Sequence, residues 1–228
     1  MGLMTLFEKT DHENRQRILE LVEHNPGVRL LDCGCGNGDF TRQIAEKIGT
    51  SQIFGIECIS GAGPVHDGSI RVVHSDLNDR FPLDGGMFDV VHANQIIEHL
   101  YETDSFIKEI HRVLKKGGYA IISTPNLAGV HNIFSLLLGK QPFSAHISNQ
   151  VILGNSFDPK HGFQHASRGE IHLRIFTYGG LVELFKYHGF TVEEVRGAGF
   201  YPFPTPVARV LARVDARHAV YLTIKVRK

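Results

Sequence analysis

The tightest constraint on what this chain can fold into lies between residues 28 and 38. Val28-Arg29-Leu30-Leu31-Asp32 is a short, mostly apolar run ending in an acidic residue, and Cys33-Gly34-Cys35-Gly36-Asn37-Gly38 then places glycine at every second position. Glycine lacks a Cβ and tolerates positive φ, so such a loop turns sharply and lets a ligand come close to the backbone. Helical periodicity resumes from Phe40 to Ile48, so the unit reads strand, loop, helix. A dinucleotide site would set G-x-G-x-x-G and a helix start against a pyrophosphate. Here the glycine spacing differs and a carboxylate comes first. An acidic strand tip repels a pyrophosphate and suits a cationic amine.

The same alternation continues along the chain. Asp11 to His24 reads as an amphipathic helix stopped by Asn25-Pro26-Gly27, and strands are predicted at Ile53–Glu57, Ile70–His74, Phe88–Ala93 and Tyr119–Thr124. A long helix is expected over Glu98–Leu114, closed by the cations and glycines of Lys115-Lys116-Gly117-Gly118. Continuous apolar strands separated by helices imply a doubly wound α/β fold whose parallel sheet is buried on both faces. From Leu127 to Gly169 the rhythm breaks into a stretch rich in Gly, Ser, Asn, His and Phe. It is longer than an ordinary connection and reads as a lid inserted over the active edge, with a short helix at Val130–Leu138. Regular patterns return as a helix at Thr177–His188 and strands at Phe190–Val195 and Val220–Val226. Residues 1–228 thus form one domain, with 127–169 as an inserted acceptor-binding segment.

Composition narrows the function classes. Lys plus Arg and Asp plus Glu are both 24, so no global field draws the chain to nucleic acid or an anionic surface, although a local basic patch stays open. Three cysteines, Cys33, Cys35 and Cys58, cannot close a disulfide framework and fit a reduced compartment. Met1 to Thr10 has no charged segment followed by an apolar core, and apolar runs such as Ile133–Leu138 fall short of the roughly 20 residues of a membrane helix. The expectation is a cytoplasmic protein without a membrane span, acting on a small-molecule acceptor; the sequence sets no oligomeric state.

Other polar residues stand at strand ends. Glu57 closes Ile53-Phe54-Gly55-Ile56, where a carboxylate can accept both hydroxyls of a ribose. In Ser75-Asp76-Leu77 a carboxylate can take adenine amino hydrogens beside an apolar neighbour, and Asn94 follows the Phe88–Ala93 run. With Leu31-Asp32-Cys33-Gly34-Cys35-Gly36-Asn37-Gly38, Phe54-Gly55-Ile56-Glu57, Phe88-Asp89-Val90-Val91, Ile97-Glu98-His99-Leu100 and Arg112-Val113-Leu114-Lys115-Lys116-Gly117-Gly118, the chain resembles the class I S-adenosylmethionine-dependent methyltransferases, in their small-molecule subgroup. The resemblance implies a Rossmann-like seven-stranded sheet with its last strand antiparallel. It also implies S-adenosylmethionine as cofactor, with Asp32, Gly34, Cys35, Gly36 and Gly38 on the methionine moiety, Glu57 on the ribose, Asp76 and Leu77 on the adenine, and Asn94 beneath the sulfonium.

The acceptor side is less determined. A general base must reach the acceptor proton, and His99, His165 and His172 are the candidates, with a surface or structural role open for each. A metal-binding subset of the resembled family shows E-x-x-E-H, but Gln95 occupies the first acidic position here, so no metal is assigned. Phe134, Leu136, Leu137 and Leu138 either line an apolar acceptor pocket or pack a lid helix. Arg209, Arg213 and Arg217 form either a solvated helix face or a contact for an anionic substrate or lipid surface. The leading expectation is O- or N-methylation of a small or medium-sized metabolite. The alternatives are metal-assisted methylation of phenolic or RNA 3′-terminal acceptors, and a non-catalytic cofactor-binding regulator.

Overall fold

The computed structural model describes residues 3–58, 68–166 and 168–228, so Met1 and Gly2 of the N-terminal stretch lie outside it. In chain order the elements are α1 (Leu3–Leu21), β1 (Arg29–Cys33), α2 (Asp39–Ile48), β2 (Gln52–Glu57), β3 (Arg71–His74), β4 (Phe88–Asn94), α3 (Thr103–Val113), β5 (Leu114–Pro125), α4 (Val130–Leu137), α5 (Tyr178–Tyr187), β6 (Thr191–Ala198), α6 (Thr205–Val214) and β7 (Tyr221–Arg227).

The strands form one seven-stranded sheet in the order β3-β2-β1-β4-β5-β7-β6. Pairs among β1 to β5 are parallel, and β7 inserts antiparallel to both β5 and β6, as the sequence resemblance implied. Apolar side chains on successive strand positions face alternate sides and feed two cores. One contains Leu31, Val91, Phe106, Ile122 and Phe185; the other contains Leu30, Ile44, Ile48, Val90 and Ile121. In α2 the buried Thr41, Ile44, Ala45 and Ile48 make a one-face stripe, and Gly38 and Gly49 flank the helix in left-handed conformations.

Three local expectations need correction. The helix expected over Glu98–Leu114 is split. Ile97–His99 makes a single 3-10 turn and α3 begins only at Thr103. The Glu98 carbonyl accepts the Leu173 and Arg174 amides at 2.8 and 3.2 Å, so it bonds to the segment that follows the insertion rather than within a helix. At the other end Leu114 is extended (φ −69, ψ 138) and Lys115 to Gly118 belong to β5 instead of capping a helix. Lys115 there pairs with Asp89 of β4 at 2.7 Å. Finally, α1 starts at Leu3, well before Asp11. Its buried face includes the polar Thr10, Glu13, Asn14 and Arg17, which apolar periodicity does not report. The 127–169 insertion holds α4 and an isolated bridge between Val151 and Gln164, and it is otherwise irregular.

Candidate functional site

The glycine loop sits where β1 ends and α2 begins. Gly34, Gly36 and Gly38 have φ of 78, 53 and 80, all left-handed. A Cβ on Gly34 would lie 2.2 Å from Ile96 Cδ1, whereas one on Gly36 would meet nothing within 4 Å, so Gly36 presents open backbone. Gly34 N donates to the Ile56 carbonyl at 2.8 Å. Glu57 ties the same strand end to the loop: its Oε2 accepts Gly36 N at 2.7 Å and its Oε1 accepts Cys58 N at 3.0 Å. Cys35 turns its sulfur toward Gly55, where a Cβ would lie 2.5 Å from Sγ. Burial, then the charges of Asp32 and Glu57, pushes its thiol up to about 12, so it packs rather than reacts.

Asp32 is not an exposed tip. It is 2% exposed, with Oδ1 2.7 Å from His92 Nδ1 of β4 and Oδ2 accepting from Thr41 Oγ1 of α2 at 2.5 Å. The carboxylate therefore clamps β1, β4 and α2 together beneath the loop. Asp76 is exposed, and its Oδ1 accepts from Asn78 N and Nδ2, both at 2.8 Å, closing an Asx turn after β3. Leu77 is packed into the core beside it.

Asn94, at the end of β4, is joined to α1, a link that sequence reasoning missed. Its Oδ1 accepts Asn14 Nδ2 at 2.9 Å, while Asn14 Oδ1 accepts from Ser123 Oγ at 2.8 Å and Thr223 Oγ1 at 3.0 Å. The one signal was a polar residue a single turn before Ile18 on the same helix face. Gln95 follows with φ 55, an uncommon left-handed conformation for a non-glycine residue, held by donation from its amide to Ser123 O at 2.9 Å and from its Nε2 to Ser123 Oγ at 3.1 Å.

Beside Gln95 opens a cavity of about 440 Å³. Glu98 and His99 line it from the turn after β4, His131 from α4, His146 and His165 from the insertion, His172 from the segment just after it, and Phe7 and Asp11 from α1. The three candidate bases are therefore brought to one chamber. Phe134, Leu136, Leu137 and Leu138 are not: all four are exposed, neither lining the cavity nor packing a core.

The polar groups of this chamber are strongly desolvated. Glu98 is fully buried; Thr124 Oγ1 donates to its Oε2 at 3.0 Å, its Oε1 has no partner among the described residues, and burial pushes its carboxyl up to about 8. His99 Nδ1 faces the Ile171 carbonyl at 3.0 Å, and a carbonyl can only accept. Nδ1 therefore carries the proton and Nε2 keeps its lone pair, 3.9 Å from Glu98 Oε1. His172 is set the same way by the Ser144 carbonyl at 3.0 Å. Burial, then the neighbouring His99 and His146, lowers His172 to about 3; burial also lowers His99. His146 stacks on His172 with ring centroids 4.4 Å apart. One donor atom each from Glu98, His99 and His172 falls within 4.8 Å of the others, a spacing that can hold a cation.

Residues 6–195 match the methyltransferase domain family. The human mitochondrial ubiquinone biosynthesis O-methyltransferase is 24% identical over 193 residues, covering 67% of this chain and 52% of that protein. The demethylmenaquinone methyltransferase of Staphylococcus epidermidis is 30% identical over 132 residues, 54% of each chain. The chain thus spans about half the length of these relatives. In fold it is similar to an S-adenosylmethionine-dependent methyltransferase from Mesorhizobium loti, with a TM-score of 0.60, 18% identity, and coverage of 96% of this chain and 100% of the other.

Proposed function

This chain belongs to the class I S-adenosylmethionine-dependent methyltransferases, and on that premise we propose that it methylates an oxygen or nitrogen of a small or medium-sized metabolite held in the chamber beside Gln95. The loop at Gly34–Gly38 fits the cofactor: Gly36 offers open backbone at φ 53, and Glu57 stands beside it with carboxylate lone pairs to spare for ribose hydroxyls. Gly34, Gly36, Gly38, the backbone of Cys35, Glu57, Asp76 and Asn94 would hold it. Asp32 acts from below, as the clamp that keeps the loop in shape. When bound, the cofactor supplies an electrophilic methyl group on a sulfonium.

The observation that carries the reading is His99, a half-buried imidazole of the cavity lining whose protonation pattern is set by the Ile171 carbonyl so that Nε2 keeps its lone pair. It accepts the acceptor's proton as transfer proceeds. Of the two histidines so arranged, His172 is lowered to about 3, which makes it a weak base, and His99 is the better one. The 127–169 segment excludes water from the chamber and orients the acceptor, so alignment supplies much of the rate. Cytoplasmic residence belongs to the same proposal, supported by the buried, unpaired thiols of Cys33 and Cys35 and by the absence, among the described residues, of a helix long and apolar enough to cross a membrane. Calorimetry with S-adenosylhomocysteine followed by a labelled-methyl screen of cell extract tests it. Binding with transfer to an extracted metabolite is expected; no binding rejects the cofactor site, and binding without transfer to any extract component leaves a regulator.

A second reading, metal-assisted transfer to a phenolic or RNA 3′-terminal acceptor, is favoured by the Glu98, His99 and His172 grouping. Those side chains would hold a divalent cation, which would polarise an acceptor oxygen. Gln95 in place of a further carboxylate weighs against a hard cation. Activity lost to a chelator and restored by zinc or magnesium selects this reading; activity indifferent to both selects the first.

A further inference from the structure

Helix α4 is built inside out. Its polar residues His131, Asn132 and Ser135 are buried, while Ile133, Phe134, Leu136 and Leu137 face solvent, Leu137 at 79% and Phe134 at 58% exposure. Asn132 and Ser135 of this buried face are hydrogen-bonded to the surrounding chain. Asn132 Nδ2 donates to the Asn126 carbonyl at 3.0 Å and its Oδ1 accepts Phe143 N at 2.8 Å, and Ser135 Oγ accepts from Asn155 Nδ2 at 2.8 Å. The helix is thus held in this orientation by hydrogen bonds, and its apolar face is unpartnered by design of the fold rather than by looseness. Leu138 continues the exposed apolar face beyond the helix, and the exposed Phe157 lies under Lys140, whose Nζ is 4.8 Å from the ring centroid.

Helix α6 repeats the pattern nearby. Val130 of α4 and Leu211 of α6 pack on the same small core of Phe200, Ala208, Ala212 and Ala219, and α6 turns Val207, Val210 and Val214 outward. An exposed apolar face on one helix is unusual; two flanking one core point to a docking surface.

The charge pattern identifies the occupant. The chain as a whole is neutral, yet it has no Asp or Glu between Glu109 and Asp158, nor between Glu194 and Asp215. The charged residues within those two stretches are all cationic, among them Lys140 after α4 and the exposed Arg213 on α6, with Arg217 just beyond. Arg209 pairs with Glu13 at 3.2 Å, the charge of Arg213 reaches the Glu20 carboxylate and Arg217 lies 5.8 Å over the Tyr178 ring. Lys140, Arg213 and Arg217 are the rim cations that make no ion pair within 4 Å among the described residues. Apolar side chains projecting from a face bordered by long cationic ones match the boundary layer of an anionic bilayer, where the apolar tips enter the acyl region and the cations meet headgroup phosphates.

We propose that the outward faces of α4 and α6 dock the protein reversibly on an anionic lipid surface. The surface is separate from the chemistry of the chamber, although α4 divides the two, with His131 lining the cavity from its other side. The test is co-sedimentation of the full chain with phosphatidylcholine vesicles with and without phosphatidylglycerol, at low and high salt, and with Leu137→Asp and the pair Arg213→Glu, Arg217→Glu. Binding to the anionic vesicles is expected, weakened by salt. Leu137→Asp should cut it at least tenfold and the arginine pair should abolish the anionic preference, with melting temperature and S-adenosylhomocysteine affinity unchanged in both. Absence of binding, or binding indifferent to both variants, overturns the proposal. So does a concentration-dependent dimer in sedimentation velocity that Leu137→Asp dissolves and that does not bind vesicles, which would make the face an interface between copies.

Discussion

Glu57 reaches from the end of β2 to the Gly36 amide and accepts its hydrogen at 2.7 Å, so the carboxylate proposed for the ribose and the glycine turn are one mechanical unit. Removing the carboxylate takes away a ligand group and frees the loop together. Glu57→Ala should therefore weaken binding of S-adenosylmethionine and its demethylated product by at least tenfold, about 1.4 kcal/mol or more. Isothermal calorimetry on the two proteins measures it, and an unchanged affinity would remove Glu57 from the site.

Asp32 acts through different physics. Both of its oxygens are used inside the protein, by His92 and Thr41, in surroundings with almost no solvent. Asp32→Ala strands two buried polar partners at once, and breaking a buried pair of this kind costs about 3 kcal/mol or more. The urea midpoint should fall accordingly, with cofactor affinity falling as the loop loses its clamp. Asp32→Asn, which retains an acceptor oxygen, should lose less of both. Equal stability of wild type and Asp32→Ala would mean the clamp carries no load.

How much of this could be read from the residues depends on where each signal lies. The parallel strands are legible because Leu30-Leu31, Val90-Val91 and Ile121-Ile122 are apolar on both faces of the sheet, and the loop is legible because its glycines are spaced by the backbone geometry they serve. Asn14 and His92 were not, since their partners Asn94 and Asp32 lie 80 and 60 positions away and only the folded sheet brings them together. Helix α4 misleads for a different reason: periodicity finds an amphipathic helix correctly but says nothing of which face turns inward, and here the hydrogen bonds that Asn132 donates to Asn126 O and that Asn132 and Ser135 accept from Phe143 N and Asn155 Nδ2 decide it. The strand-tip charge of Asp32 was visible in the sequence; that it points inward was not.

His99 provides the catalytic prediction. General base contributions span about 10²–10⁴-fold, so His99→Gln should lower kcat within that range while leaving cofactor affinity near wild type. His99 lines the chamber, and no residue of the Gly34–Gly38 loop does. His172→Gln should cost less, because the lowered basicity of that ring leaves it little proton affinity to lose. The assay is steady-state transfer to the acceptor found in the extract screen, with calorimetry in parallel. Equal kcat in His99→Gln and wild type would exclude His99 as the base.

The same desolvated ring packing makes the fold acid-labile. His131 is wedged edge-on against Phe143 and Tyr201, with centroids 5.1 and 5.3 Å away, and its Nδ1 has no partner among the described residues. Burial lowers its pKa from 6.5 to about 4. Above the unfolded value both states are neutral and the residue contributes no pH dependence. As pH falls below about 6.5 the unfolded chain takes up a proton that the folded one refuses, so stability drops until the folded pKa near 4 is reached. At pH near 5 this one group accounts for about 2 kcal/mol, several degrees in melting temperature for a chain of this size. His146 and His172, lowered to about 4 and about 3, act in the same direction. Melting temperature should therefore fall between pH 7.5 and pH 5, and His131→Phe, which keeps a ring between Phe143 and Tyr201 but cannot take a proton, should shrink that fall without abolishing it. A wild-type melting temperature that is flat over this interval would show that the His131 ring is charged in the folded protein.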